Sequence, residues 1–153
     1  MLLPFLKWVL KNLPQKCCVL ISSRGHKSKS ETVGKIINSG ERFSAKEIGD
    51  ENIEILRSLK NGTIAVGKNR VEQISKCIRD KSFSYLFLDD GFQHMKIGRD
   101  INVVLFNSLL EYEKLKVFPR GYLREGVGSL YEADVIIFTN CSGEKFSRNE
   151  AAI

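Results

Sequence analysis

The chain has 153 residues, 42% of them hydrophobic and 27% charged, which is close to the average of folded globular domains. This composition excludes disordered, fibrous and membrane-embedded proteins, and the length suffices for one domain with its own hydrophobic core. Lysine and arginine number 24 against 18 aspartates and glutamates, so the surface should attract phosphates, acidic lipids or nucleic acid. Basic residues such as Lys68 and Arg70 are dispersed, which favours a solvated surface over a nucleic-acid-binding face.

The cysteines give no sign of a metal site. Cys17, Cys18, Cys77 and Cys141 lack a CxxC spacing and have no histidine at metal-ligand spacing, so zinc is not expected. Cys17 and Cys18 lie in an apolar run typical of a buried strand. We interpret them as reduced core cysteines of a cytosolic protein.

The first 13 residues, MLLPFLKWVLKNL, predict an amphipathic helix. Lys7 and Lys11 interrupt the apolar run, which is too short to span a bilayer and has no signal-peptide cleavage site. The helical spacing defines an apolar face made of Leu3, Leu6, Val9, Leu10 and Leu13. This face could dock on a sheet or lie on a membrane, and docking in a soluble core is the commoner case.

The next elements alternate in type. Residues 17–22, CCVLIS, have no polar alternation and predict a strand buried on both faces. Residues 23–34, rich in Ser, Gly and Lys, indicate a loop. An imperfect helical repeat runs from Lys46 to Leu59 and stops at Asn61-Gly62.

The second half of the chain continues this alternation. Residues 63–66 predict a strand and residues 71–80 a helix, and three further strands are predicted at 85–90, 101–106 and 134–139. The predicted apolar face of the helix consists of Val71, Ile74, Cys77 and Ile78. About five short strands separated by helices or loops predict an α/β fold with a mostly parallel sheet and helices on both faces.

Polar residues follow three of these strands. Ser23-Arg24-Gly25, Asp89-Asp90 and Asn140 should line one edge of the sheet, because ligands of open α/β sheets bind beyond the carboxyl ends of the strands. Asp89 and Asp90 could hold Mg²⁺ beside phosphates, although acidic residues also end strands as turn formers. Gln93 and His94 add a polar donor and a titratable group to the acidic pair.

Two further segments carry candidate chemistry. Gly49-Asp50-Glu51 could be a helix start, or Asp50 could be a general base that accepts a proton from a substrate hydroxyl. Residues 118–130, FPRGYLREGVGSL, combine one proline, three glycines, Glu125 and two arginines. Guanidinium groups in this loop could clamp phosphate oxygens.

These motifs together resemble a known family. The DDGFQH run from Asp89 to His94, with Arg99-Asp100 before an apolar strand, resembles the signature of the tetraacyldisaccharide 4'-kinases, the lipid A kinases of Gram-negative bacteria. Four further segments resemble the family in the same order along nearly the whole chain: SRG at 23–25, GDE at 49–51, PRGYLRE at 119–125 (PAGPLRE in the family) and EAD at 132–134 before a strand.

The resemblance implies an ATP- and Mg²⁺-dependent transfer of a γ-phosphoryl group to the 4'-hydroxyl of a tetraacyl disaccharide 1-phosphate lipid. It implies a P-loop NTPase-like lobe that acts at the cytoplasmic face of the bacterial inner membrane, with that membrane surface and not nucleic acid as its partner. The chain has no transmembrane segment, which is compatible with a soluble protein.

The resemblance also assigns roles to individual residues. Asp50 matches the family's proposed catalytic base. Asp89 and Asp90 match an acidic pair near Mg²⁺, and the resemblance implies that both are also catalytic residues. His94 falls on the same motif as a catalytic candidate, and Gln93 as a cofactor-binding one. Further cofactor-binding roles near the nucleotide or its metal fall to two residues of the 118–130 loop, Arg124 and Glu125.

The sequence departs from the family at both ends. It has no GGTGKT-like phosphate-binding loop, and Pro4-Phe5-Leu6 resembles the segment that follows that loop. The family's second lobe, with a histidine partner of the catalytic aspartate, is not recognisable either. We therefore expect residues 1–153 to form a single partial kinase lobe with impaired or no activity of its own. The alternative is a non-catalytic relic or a module that binds metal or anionic membrane.

Overall fold

A computed structural model describes residues 2–109, 111, 114–123 and 125–141. It divides into two compact units, one formed by residues 2–97 and the other by residues from Gly98 onward. Each unit has its own sheet, and the two units are described separately below.

The first unit contains a four-stranded sheet. Its strands are β1 (Val19–Ser23), β2 (Lys35–Asn38), β3 (Gly62–Val66) and β4 (Tyr85–Leu88), in the spatial order β2-β3-β1-β4. Strand β1 pairs in parallel with both β3 and β4, while β2 pairs antiparallel with β3. The predicted mostly parallel sheet is confirmed, and the short antiparallel edge strand β2 is an addition to it.

Helices cover both faces of this sheet, as predicted. They are α1 (Leu2–Asn12), α2 (Ser30–Val33), α3 (Ala45–Ile48), α4 (Asp50–Ser58) and α5 (Arg70–Asp80). On one face, Leu6 of α1 and Ile55 of α4 join a core with Ile21 and Ile64 of the central strands. On the other face, residues of α5 pack against the sheet in a smaller cluster made of Leu20, Ala65, Ile74 and Cys77. The inward and outward side chains of the two central strands are therefore all buried.

The N-terminal helix docks on the sheet through the predicted apolar face. Leu6 is buried, and Leu3, Leu10 and Leu13 pack against the same core. Lys7 Nζ reaches Glu54 Oε2 of α4 at 2.7 Å. Among the residues that the structure describes, none of the helices has both the length and the apolar character that crossing a bilayer requires.

Three predicted elements differ in detail. The 23–34 segment is not a loop throughout, because it contains the single turn α2. The predicted helix from Lys46 to Leu59 is two helices, since Gly49 between α3 and α4 has φ +91°. Cys17 and Cys18 precede β1 and are only partly buried, although both are free thiols.

The buried face of α5 is rotated relative to the predicted one. Val71 and Ile78 are 39% and 58% exposed, so they do not belong to the core. The buried residues of the helix are Arg70, Gln73, Ile74 and Cys77. A buried arginine and a buried glutamine thus replace two apolar residues that the hydrophobic pattern selected.

The second unit contains a parallel pair of strands, β5 (Val103–Asn107) and β6 (Val135–Thr139), with a 3₁₀ helix at Val127–Glu132. Both strands were predicted. The rings of Phe106 and Phe138 meet edge to face at 5.7 Å between centroids. Ser108 is buried directly after β5, and its hydroxyl donates to the carbonyl oxygen of Thr139 at 2.8 Å.

Candidate functional site

The ends of β1 and β4 bring Ser23 and Asp89 together. The two strands run in parallel with Ser22 opposite Leu88, so the next residue of each strand emerges at the same edge. The hydroxyl of Ser23 is hydrogen-bonded to the carboxylate of Asp89. The shared edge predicted for the Ser23 and Asp89 clusters is confirmed, whereas Asn140 belongs to the second unit and its place at this edge stays a prediction.

The surroundings of the Asp89 carboxylate disfavour its charged form. Burial raises its pKa, and the neighbouring carboxylates of Glu51 and Asp90 act in the same direction. The hydrogen bond from Ser23 and the positive charge of Arg70 oppose this shift without cancelling it. A further cation beside Asp89 would therefore stabilise its charged form.

Arg70 is the main residue of this site that the sequence interpretation missed. The dispersed basic residues predict a solvated position for Arg70, and this prediction is wrong because the side chain is only 7% exposed. Burial lowers the pKa of the Arg70 guanidinium, and the negative charges of Asp89 and Asp90 act against that shift. The available signal was its spacing, since Arg70 precedes Ile74 and Cys77 by four and seven residues and so shares their helix face.

A tight turn presents Asp90 next to Asp89. Asp90 has φ +50°, a left-handed conformation that aspartate tolerates better than most residues. A side chain on Gly91 would overlap Leu88, so the backbone passes too close to the end of β4 for any residue but glycine. The turn places two carboxylates in succession, one partly buried and one exposed.

The break between α3 and α4 presents the second acidic segment. Gly49 takes a conformation that L-residues rarely adopt, and Asp50 and Glu51 then form the first turn of α4, where negative charge is favourable. The buried Asn52 braces this break, since its Nδ2 donates to the carbonyl oxygen of Ile48 at 2.6 Å. The charge of Glu51 raises the pKa of Asp89, so the start of α4 lies within electrostatic range of that carboxylate.

The loop after β1 is held by Glu31. Its carboxylate accepts from Arg24 Nε at 2.8 Å and from the backbone N–H of Lys27 at 2.9 Å. The hydrogen bond from Lys27 lowers the pKa of Glu31, with Arg24 contributing in the same direction. Gly25 has φ +67°, and a side chain there would overlap Val66 of β3. At the Ser23–Gly25 motif the backbone of the loop therefore lies close to strand β3.

The remaining predicted site residues lie in different places. Gln93 and His94 line an open pocket together with Arg70, so they share the edge of the first unit with the acidic pair. Glu125 is exposed in the second unit, and its role in nucleotide binding stays a prediction. Arg124 lies outside the described residues.

The donor set at the end of β4 fits Mg²⁺. Mg²⁺ is commonly held by one or two protein carboxylates, with waters and substrate phosphates completing its octahedron. Asp89 and Asp90 supply two carboxylates. The positive charge of Arg70 does not fully offset the effect of burial and of the neighbouring carboxylates on Asp89, which is partly buried. Within the described ranges there is no group of three His, Cys, Asp or Glu side chains that could hold a metal without such help.

The first unit thus has the α/β architecture of a P-loop NTPase-like fold, with an acidic pair at the carboxyl end of a strand. The sequence model described as tetraacyldisaccharide-1-P 4'-kinase matches residues 3–152. The chain belongs to this family.

Individual relatives agree with that assignment. The tetraacyldisaccharide 4'-kinase of Chlamydia caviae is 36% identical over 138 residues, covering 88% of this chain and 36% of that protein. The Porphyromonas gingivalis W83 protein of the same name is 35% identical over 143 residues, covering 90% and 39%. The chain therefore spans less than two fifths of the length of these relatives.

A solved structure is similar as well. The LpxK of Aquifex aeolicus, crystallised in complex with ATP, superposes with a TM-score of 0.79 at 28% sequence identity. The match covers 94% of this chain and 45% of that one.

Proposed function

We propose that this chain is part of a kinase that transfers the γ-phosphoryl group of ATP to the 4'-hydroxyl of a tetraacyl disaccharide 1-phosphate lipid. The observation that carries the proposal is the site around Asp89, where a strand-end acidic pair, the buried Arg70 and the acidic start of α4 interact electrostatically. Membership of the 4'-kinase family and the ATP complex of the Aquifex aeolicus relative support ATP as the phosphoryl donor.

In this proposal Asp50 is the general base. Its exposed carboxylate, at the first residue of α4, accepts the proton of the 4'-hydroxyl as that oxygen attacks the γ-phosphorus. The bond from the γ-phosphorus to the bridging oxygen breaks, and ADP leaves with that electron pair. Gly49 and Asn52 hold Asp50 in position by fixing the break between α3 and α4.

Asp89 and Asp90 would hold Mg²⁺, which when bound offsets the negative charge of the phosphates. The hydroxyl of Ser23 and the positive charge of Arg70 favour the charged form of the Asp89 carboxylate. His94 and Gln93 follow the acidic pair in the turn, where the N–H of His94 donates to the carbonyl oxygen of Gly91 at 2.9 Å. We assign Gln93 to the nucleotide and His94 to the reacting groups.

The proposed setting is the cytoplasmic face of the inner membrane, where the lipid acceptor is accessible. Trp8 on α1 is 63% exposed and stacks with Phe5, and aromatic rings of this kind favour the membrane–water interface. Lys11 on the same helix is exposed, and the net charge of +6 favours an anionic surface. These features support membrane-surface association of the working enzyme.

A transfer assay tests the proposed function. The chain, expressed in its natural sequence context, is incubated with γ-³²P-labelled ATP, Mg²⁺ and the tetraacyl disaccharide 1-phosphate, and the labelled lipid is separated and its phosphate positions determined. We expect label at the 4' position, a loss of at least about 100-fold in Asp50→Asn and no change in Asp80→Asn, an exposed residue at the end of α5. Undiminished transfer in Asp50→Asn would rule out the assigned base.

A further inference from the structure

The second unit contains a compact segment at residues 114–123, which we call the 114–123 loop. Val117 and Leu123 pair as an isolated β-bridge within it. The N–H of Phe118 donates to the carbonyl oxygen of Leu123 at 2.9 Å, and the N–H of Leu123 donates to the carbonyl oxygen of Lys116 at 3.1 Å. The backbone of this loop is therefore held in place by its own hydrogen bonds.

The same loop exposes large apolar side chains. Phe118 is 77% exposed and Tyr122 is 70% exposed, and both lie between the two residues of the bridge. Val117 beside them is 43% exposed. A group of exposed apolar side chains on an ordered loop marks an interaction surface, because folded proteins keep such groups small where nothing contacts them.

Cations are interspersed among these apolar side chains. Residues 114–123 include Lys114, Lys116 and Arg120, all of them exposed, and no carboxylate. Lys114 pairs with Glu111 outside the loop at 3.2 Å between Nζ and Oε2. Lys116 and Arg120 form no ion pair with any residue that the structure describes, so the loop carries uncompensated positive charge.

This combination of side chains discriminates between kinds of partner. The buried centres of protein–protein interfaces are rich in aromatic residues but poor in lysine. At an anionic bilayer, by contrast, tyrosine rings favour the boundary between lipid and water, and lysine and arginine are attracted to the acidic headgroups. The 114–123 loop therefore matches an anionic lipid surface better than a second protein.

We propose that the 114–123 loop docks on an anionic lipid bilayer. Phe118 and Tyr122 enter the interfacial layer of the bilayer. Lys116 and Arg120 bind its acidic headgroups. The proposal rests on the proposed function for its setting, in which the lipid acceptor lies at a membrane surface, and it gives the second unit a membrane contact of its own, separate in sequence from helix α1.

A fluorescent reporter in the loop tests this contact. Trp8 is the single tryptophan of the chain, so the variant Trp8→Phe/Phe118→Trp carries its tryptophan in the loop alone. On vesicles of equal parts phosphatidylglycerol and phosphatidylcholine, we expect its emission to shift to shorter wavelength and to be quenched by brominated lipid. Unchanged emission on these vesicles overturns the proposal, even where quenching of Trp8 in the unmodified chain shows that α1 contacts the lipid.

Vesicle sedimentation tests the contribution of the cations. Lys116→Gln/Arg120→Gln should bind the same anionic vesicles at least about tenfold more weakly than the unmodified chain, because both attractions to the headgroups are lost. The matched control Lys60→Gln/Arg79→Gln removes the same charge at two exposed positions of the first unit, and it should weaken binding less than about threefold. Equal weakening in the two variants would mean that net charge alone determines binding, and it overturns the proposal.

The same sedimentation assay tests the contribution of the apolar side chains. Phe118→Ser/Tyr122→Ser should weaken binding at least about tenfold, because it removes the apolar surface that enters the bilayer. The matched control Val33→Ser/Ile78→Ser changes two exposed apolar residues of the first unit and should bind as the unmodified chain does. Equal binding by the two variants overturns the proposal. Because every readout is lipid contact, absence of phosphoryl transfer would count against the proposed function alone.

Discussion

The backbone N–H of Asp89 donates to the carbonyl oxygen of Ser22 at 2.9 Å. The parallel ladder between β1 and β4 therefore continues one residue beyond Leu88, where β4 ends. Asp90 follows outside the ladder with φ +50°. The sheet thus positions the first carboxylate of the acidic pair, and a turn positions the second.

Asp90 should be sensitive to backbone preference. Asparagine adopts the left-handed conformation more readily than alanine, so we expect Asp90→Ala to be less stable than Asp90→Asn by about 1 kcal/mol. Both variants remove the same charge, so the loss of charge does not contribute to the difference between them. Urea unfolding of the two variants measures the difference, and equal midpoints would show that the turn is not conformationally constrained at this position.

Gly25 should tolerate no side chain. Gly25→Ala combines a positive φ with overlap between the new methyl group and Val66, and we expect a loss of about 2 kcal/mol or more in the free energy of unfolding. Gly40 is the matched control, because its φ is +91° and open space surrounds the position where a side chain would begin. Gly40→Ala should cost about 1 kcal/mol. Equal losses in the two variants would mean that the loop does not pack closely on β3.

The apolar runs predicted the strands well because a strand buried on both faces needs an unbroken hydrophobic sequence. Strand β2 was missed since Lys35–Asn38 is a short edge strand with only Ile37 buried, which leaves almost no apolar signal. The break at Gly49 was missed because a helical repeat continues across α3 and α4. Only the backbone conformation of one glycine separates the two helices.

The candidate site was predictable where it follows a strand. Asp89 lies at the edge that the rule for open α/β sheets indicates. Arg70 was not found, and Glu51 was noted in the Gly49–Glu51 motif without a role of its own, because both act through charges that meet Asp89 only in the folded chain. An arginine among dispersed basic residues is predicted to be exposed. Only its spacing of four and seven residues from Ile74 and Cys77 indicates that Arg70 lies on the buried face of the helix.

Ser108 should stabilise the second unit. Its buried hydroxyl donates to Thr139 on the neighbouring strand, so Ser108→Ala should lower the free energy of unfolding by about 1 kcal/mol. Ser129 is the control, since its hydroxyl makes a local bond to the carbonyl oxygen of Gly126 in an exposed setting, and Ser129→Ala should cost less than about 0.5 kcal/mol. Thermal unfolding measures both variants, and a larger loss in Ser129→Ala would contradict the packing described for β5 and β6.

Glu31 should make stability depend on acidic pH. Its pKa is lowered in the folded chain, so its contribution is fully present above the ordinary value of 4.5 and is lost as the pH falls through the lowered folded value. Glu31→Gln should therefore unfold at lower urea concentration than the unmodified chain at pH 7, with the gap narrowing as the pH falls below 4.5. Glu41→Gln, which removes the charge of a carboxylate that accepts from Asn38 Nδ2, should show a smaller gap. A gap for Glu31→Gln that stayed constant with pH would contradict the role of the carboxylate.

The most direct test of the central claim is binding of a divalent cation at Asp89 and Asp90. Substoichiometric Mn²⁺, used as a paramagnetic substitute for Mg²⁺, should selectively broaden the amide NMR signals of residues 88–91 in the ¹⁵N-labelled chain. The broadening should disappear in Asp89→Asn/Asp90→Asn and persist in Asp80→Asn. Selective broadening that survives loss of both carboxylates, or no selective broadening in the unmodified chain, would contradict the assignment of this strand end as the metal site.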